Sequence, residues 1–336
     1  MIYVKPYFYD YFRCKADKCT DTCCAGWEVD IDDESFEKYN DVKGDFGNKL
    51  KSGIVYSGDT PCFRLCENER CVFLNQNNLC DIYSELGEEY LCDICREHPR
   101  FYNCFENVTE MGLGLCCEKV CEMIFSSNKP ITFVTESENK NENTDDEYEF
   151  FDFIRNKCFE IIQDRNMPFS ERIEELISYG VFIQNEFFCG NIESELNSDA
   201  DCVFHSVTDL FLQTEPINDV WTEYIRNIKF NLKSIVEKAE CMKIKESEYE
   251  QILTYILYRH FTRVMDDCDI LSIICFSVIN LVFIYLSDCK TYSDSKNIAY
   301  LDRVNNVKLW SQQIEYSDEN TQLIIDKASE ILLINK

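Results

Sequence analysis

Fourteen cysteines crowd between Cys14 and Cys121, and the other seven of the chain's 21 are scattered over the rest. No other feature restricts the fold so strongly, because so many thiols must be paired, ligated or buried. The stretch CTDTCCAGW, residues 19–27, sets three of them within six positions. Consecutive Cα atoms stand about 3.8 Å apart while a relaxed disulfide wants roughly 4.4–6.8 Å, so Cys23 and Cys24 are poorly placed to pair with each other. An odd total cannot pair completely within one chain. The opening MIYVKPYFYDYF has no basic stretch followed by an apolar run and no small-residue cleavage site, which sets the expectation of a cytoplasmic location with reduced thiols. Thiolates gathered on metal then account best for the cluster.

The 336 residues suffice for two domains, and few glycines or prolines interrupt them. The expected fold class is mainly α: an irregular cysteine-rich metal-binding N-terminal domain followed by an α-helical C-terminal domain. Residues 1–125 form the first, 148–336 the second, and the polar, acidic stretch 126–147 reads as a linker or surface loop. Beyond it, Phe150, Phe151, Ile154, Cys158, Ile161 and Ile162 recur at helical spacing. Pro168 interrupts, and Ser170 is positioned to cap a second helix. Further helices are expected at 219–240, at 247–267 behind a Ser247–Glu250 capping box, and at 318–334. The apolar run LSIICFSVINLVFIYL, residues 271–286, is shorter than the roughly 20 residues that span a bilayer, so it reads as a buried core helix and no membrane span is expected.

The cysteine motifs continue in CVFL and CDIY, then LGEEYLCDICREHPRFY and LGLCCEKVC. Taken in order with CTDTCCAGW, they resemble the flagellin lysine-N-methylases, relatives of a wider group with a zinc- or iron-chelating CxxxCxxCC-type domain. The likeness covers roughly residues 14–125 and extends thinly to NMPFSERIEELISYG and YILYRHF. It implies a protein-lysine N-methyltransferase that moves a methyl group from S-adenosylmethionine to lysines of flagellin. Carried over by position, it implies metal ligands at Cys14, Cys19, Cys23, Cys24, Cys71, Cys80, Cys95 and Cys117. The group they would hold reads as an iron–sulfur cluster of the [4Fe–4S] kind, with zinc as the alternative. Cys62, Cys66, Cys92, Cys104, Cys116 and Cys121 have no place in that pattern and read as bystanders, although Cys92–Cys95 is the one clear C-x-x-C.

Two familiar machineries are not indicated. CTDTCC is not the CxxxCxxC of radical enzymes, and GLG at 112–114 lacks the third glycine of a nucleotide-binding turn. His98, beside Pro99, is a weaker ligand than the thiols around it, while Arg96 and Arg100 could balance thiolate charge or bind a cofactor carboxylate. No residue can be assigned to catalysis or to the cofactor pocket. A formal charge of −29 repels nucleic-acid phosphates and suits a basic, lysine-bearing protein partner. The competing reading is a non-catalytic metal-binding or redox-responsive interaction protein.

Overall fold

A computed structural model describes residues 1–138, 144–188, 192–243 and 245–335. Helices make up 61% of it. The chain forms two compact units: a cysteine unit of Tyr11–Phe101 with Cys117–Lys119, and a helical unit of Met1–Asp10, Tyr102–Cys116 and Val120–Lys336.

The helical unit therefore takes the first ten residues, which differs from the division expected along the sequence. Strand pairing is the reason. In one four-stranded sheet β1 (Ile2–Pro6) lies between β5 (Val108–Leu113), which it pairs in parallel, and β6 (Phe133–Ser137), which it pairs antiparallel; β4 (Arg100–Cys104) forms the edge beyond β5. Part of the stretch expected as a linker is thus strand β6, and its residues 139–143 lie outside the described residues. Val4 and Met111 offer their carbonyls to the Tyr258 hydroxyl at 2.9 and 3.1 Å, which ties β1 and β5 to the helices.

The cysteine unit is built from short pieces: α1 (Asp33–Asp41), α2 (Gly44–Ser52), the hairpin β2 (Ile54–Ser57)–β3 (Thr60–Phe63), α3 (Asp81–Leu86) and α4 (Asp93–Glu97). Its core gathers Val29, Ile31, Tyr39, Leu50, Phe63, Phe73 and Ile82. Asp32 caps α1 by accepting from Ser35 N and also accepts from Asp93 N, both at 2.9 Å, so one carboxylate fastens the starts of two helices.

In the helical unit, α5 (Glu118–Ser126) leads into α6 (Asp146–Ile162), α7 (Phe169–Phe187), α8 (Ala200–Phe211), α9 (Asp219–Ala239), α10 (Glu246–His260), the single turn α11 (Val264–Asp267), α12 (Ile270–Ser295), α13 (Tyr300–Ile314) and α14 (Asp318–Leu332). Strands β7 (Ser194–Leu196) and β8 (Leu333–Asn335) pair as a small ribbon. The apolar run expected as a core helix lies in α12, which packs against six other helices. Its length and composition would allow it to cross a membrane, but 83% of its most apolar window is buried inside the protein.

Two expected caps are absent. Helix α7 starts at Phe169 directly behind Pro168, whose fixed φ already presents the first turn, and Ser170 lies within that turn. Helix α10 starts at Glu246 with no side-chain cap. Glu250 instead turns inward and accepts from Arg165 Nε and Nη2 at 2.9 and 2.8 Å and from Arg172 Nη1 at 3.0 Å. A buried guanidinium needs a carboxylate more than an exposed backbone N–H needs a cap. Removing one partner of such a pair leaves the other charge buried and uncompensated. Glu250→Ala should therefore lower unfolding free energy by about 3 kcal/mol, whereas Ser247→Ala should change it by less than about 0.5 kcal/mol. Denaturant titration of the two variants checks this, and equal midpoints would refute it.

Candidate metal centre

The motif CTDTCCAGW folds as a succession of tight local bonds. Asp21 Oδ1 accepts from Thr22 N at 2.7 Å, the Thr22 hydroxyl accepts from Cys24 N at 3.1 Å, and Trp27 Nε1 donates to the Cys23 carbonyl at 2.8 Å. Gly26 has a φ of +90°, a conformation that explains why glycine follows the cysteine pair. Its N–H donates to the Glu69 carbonyl at 3.0 Å, and Cys71 N donates to the Cys24 carbonyl at 2.8 Å. Two motifs 47 positions apart are thereby joined, backbone to backbone.

Cys71 and Cys80 are brought together by the turn between them. Leu74 bridges Cys80, Asn75 N donates to the Leu79 carbonyl at 2.9 Å, and the Asn75 side chain accepts from Asn77 N and Leu79 N. Cys92 is the N-cap position of α4 and Cys95 lies one turn on, so the C-x-x-C presents both thiols together.

These elements enclose a cavity of about 50 Å³ lined by Cys23, Cys24, Cys71, Cys80, Cys92 and Cys95, with His98 also in its wall. Cys92, set aside on sequence grounds, is thus among the cavity's thiols. A second neighbourhood lies beside it. Glu118 accepts from Thr20 N at 2.8 Å and from the Thr20 hydroxyl at 2.5 Å, and it pairs with Lys15, which holds the segment 14–20 next to Cys117. Cys14, Cys19 and Cys117 belong to this group, and Cys23 is an electrostatic neighbour of Cys14 and Cys117. The eight expected ligands thus fall into two groups around the Cys23–Cys24 step. Of the expected bystanders, Cys104, Cys116 and Cys121 lie in the helical unit, while Cys62 and Cys66 are away from the cavity wall. Arg96 is tied to Asp93 and Glu97, and Arg100 lies over the Phe12 ring at 5.5 Å.

The thiols are electrostatically unequal. Cys23 hydrogen-bonds to Cys24, which draws the Cys24 thiol down to about 7, with the Thr22 hydroxyl adding to the effect and burial opposing it. Cys23, as donor, is pushed far up. The same sharing lowers Cys92 and raises Cys95. Burial pushes Cys71 up to about 12 and raises Cys80, and burial with the charge of Glu118 pushes Cys19 up to about 11. Without a cation the cavity therefore favours shared protons over several free thiolates.

The donor set fits a soft or borderline metal, since thiolates with an imidazole suit zinc and iron–sulfur groups. Among the described residues no three His, Cys, Asp or Glu side chains stand where they could hold an ion as placed. The fit is thus one of donor chemistry and enclosure, not of a finished coordination sphere.

The helical unit has a larger cavity, about 410 Å³, between β1, β6 and α6. Phe133, Phe153 and Phe159 supply aromatic walls, and Glu149, Asp152 and Asn156 a polar side. Arg155, also in the wall, is buried and pairs with Glu110 and Asp152. Sequence periodicity places Phe159 and Asp152 on one helix, but only the pairing of β6 with β1 creates the opposite wall.

In the reduced, metal-free protein an ultraviolet thiolate titration should include a step near pH 7 from the lowered Cys24 thiol, distinct from that of Cys92, which its bond with Cys95 also lowers, while the raised thiols remain protonated. Cys24→Ser should abolish the step. Its persistence in that variant would assign it elsewhere.

Three curated relatives share part of this chain. The flagellar biosynthetic protein FliU of Salmonella muenchen is 26% identical over 130 residues, which is 36% of this chain and 76% of that protein. The lysine-N-methylases of Salmonella choleraesuis and Salmonella typhimurium are each 26% identical over 130 residues, again 36% of this chain but 32% of theirs. The match thus spans about a third of those two relatives. No family model matches the chain, and no solved structure matches it. The resemblance drawn from the cysteine motifs agrees with these distant relatives.

Proposed function

We propose, from distant kinship with proteins named lysine-N-methylase, that this chain is a protein-lysine N-methyltransferase using S-adenosylmethionine and acting on flagellin or a similar lysine-bearing protein in the cytoplasm. That kinship is the observation that carries the reading. The cavity of the helical unit supports it by size, since sites for small molecules run to about 300–1,000 Å³. Carboxylates at Glu149 and Asp152 suit ribose hydroxyls, and the rings of Phe133 and Phe153 suit an adenine face. The reaction forms an N–C bond as the sulfonium C–S bond breaks; the sulfur keeps the electron pair and leaves as S-adenosylhomocysteine. The acceptor lysine, with a free pKa of about 10.4, must first lose its proton, and a carboxylate near a low-dielectric wall can receive it.

Within the cysteine unit, Cys24, Cys71, Cys80, Cys92 and Cys95 would hold one metal group, and Cys14, Cys19, Cys23 and Cys117 lie around a second position. When bound, such a group supplies cross-links between short segments distant in sequence, so its binding free energy becomes folding free energy. We read it as iron–sulfur, with zinc the alternative.

The decisive experiment incubates anaerobically purified protein with S-adenosylmethionine and flagellin and reads methyllysine by mass spectrometry. Methylated lysines are expected; tight metal content without donor binding or transfer would favour the non-catalytic, redox-responsive reading instead. Asp152→Ala should weaken donor binding about tenfold in calorimetry while leaving metal content unchanged, and unchanged affinity would remove this cavity from the reading. The surplus of 62 acidic over 33 basic residues bears on the acceptor. Raising salt should weaken apparent affinity for the acceptor more than it lowers the maximal rate, because exposed charges are screened over about 8 Å at physiological ionic strength. Steady-state kinetics over a salt series test this, and a falling maximal rate at constant affinity would confine the charge to solubility.

A further inference from the structure

The wall of the thiol cavity contains one side chain that the cysteine pattern does not explain. His98 stands just past α4, its backbone N–H donating to the Ile94 carbonyl at 3.1 Å, and its ring lies 6.2 Å from the Trp27 ring, centroid to centroid. Its Nε2 is fully buried and has no hydrogen-bond partner among the described residues. Buried polar atoms in native proteins are nearly always satisfied, and one that is not marks a place for water, an ion or a catalytic task. The same ring lines the cavity with six thiols, so the unsatisfied nitrogen and the soft donors share one enclosed space. Burial pushes the imidazole down to about 4, so at neutral pH it carries no charge and one ring nitrogen keeps its lone pair.

We propose that His98 is an imidazole ligand, through Nε2, to the metal group of this cavity, completing a shell whose thiolates are drawn from Cys24, Cys71, Cys80, Cys92 and Cys95. The inference rests on the reading of a metal-holding cysteine unit given above. Packing alone gives no reason for a histidine there, since an apolar ring would fill the same wall without burying an unpaired nitrogen. A neutral nitrogen in place of a thiolate also relieves crowding, because each further thiolate adds negative charge to a site where burial already resists it. For zinc the result is a mixed Cys and His shell. For an iron–sulfur group it is a centre with a higher reduction potential than an all-thiolate one, since imidazole carries no charge.

The test uses the full chain purified anaerobically, with iron, sulfide and zinc analysis and metal-edge X-ray absorption on wild type, His98→Ala and His98→Cys. Wild type should show a nitrogen scatterer beside sulfur, His98→Ala should lose it together with at least half of the metal at this position, and His98→Cys should retain metal in an all-sulfur shell. Retention in His98→Cys separates loss of a ligand from loss of fold. Wild type that carries metal without nitrogen, or a nitrogen signal and metal content unchanged in His98→Ala, would overturn the assignment and leave the site all-thiolate. Wild type without any metal would overturn the metal reading itself.

Discussion

Six thiols facing one small cavity cannot all be ionised unless a cation stands among them. That constraint acts in the cysteine unit alongside an apolar core that includes Cys92. The helices of this unit run to nine residues at most, and isolated helices of that length are marginal in water. Its segments are instead fixed by bonds that converge on the cavity: Cys71 N to the Cys24 carbonyl, the Asn75 turn, and Asp32 on the starts of α1 and α4. Proton sharing within Cys23–Cys24 and Cys92–Cys95 shows how the unit manages the crowding without metal. Each pair holds one thiol ready to ionise and one that resists.

The helical unit solves a different problem. Its sheet depends on strands drawn from three separate parts of the chain, and its helices surround α12, whose apolar character goes all round because neighbours cover nearly every side. Charges buried there are paired with opposite charges. Arg165 and Arg172 share Glu250; Arg155 has Glu110 and Asp152; Arg259 and His260 both meet Glu315. A buried carboxylate with two cationic or polar partners tolerates desolvation that a lone one would not. Such networks fix helix register, and α6 carries the polar side of the larger cavity as part of one of them.

In the proposed reading, function divides along the same line. Thiol chemistry belongs to the unit of short elements, where ligands can be placed by turns, while the larger cavity has two walls from regular elements, which hold side chains more rigidly. In a methyl-transfer reading the first stabilises structure and the second offers room for the donor. In that reading the acidic surplus of the chain would complement a basic acceptor without specifying its identity.

Much was legible in the sequence for physical reasons that act locally. Thiol crowding announces a cysteine unit, helical periodicity announces α6, α9 and α14, and the apolar run of α12 announces a core helix. Ser170 and Glu250 show where local rules failed, because Pro168 and the pairing of Glu250 with the buried Arg172 and with Arg165 made stronger demands than a cap could. Strand β6 was hidden in a polar stretch, since its outward residues pair through backbone bonds that carry no side-chain signature. Cys92 was visible as half of a C-x-x-C but its role depended on where α4 lands. The sequence alone determined which residues could bind metal, because ligand chemistry is a property of side-chain type; only the tertiary structure decided which thiols share a cavity and that His98 Nε2 is left unpaired within it, because proximity between distant segments is set by backbone pairing and packing.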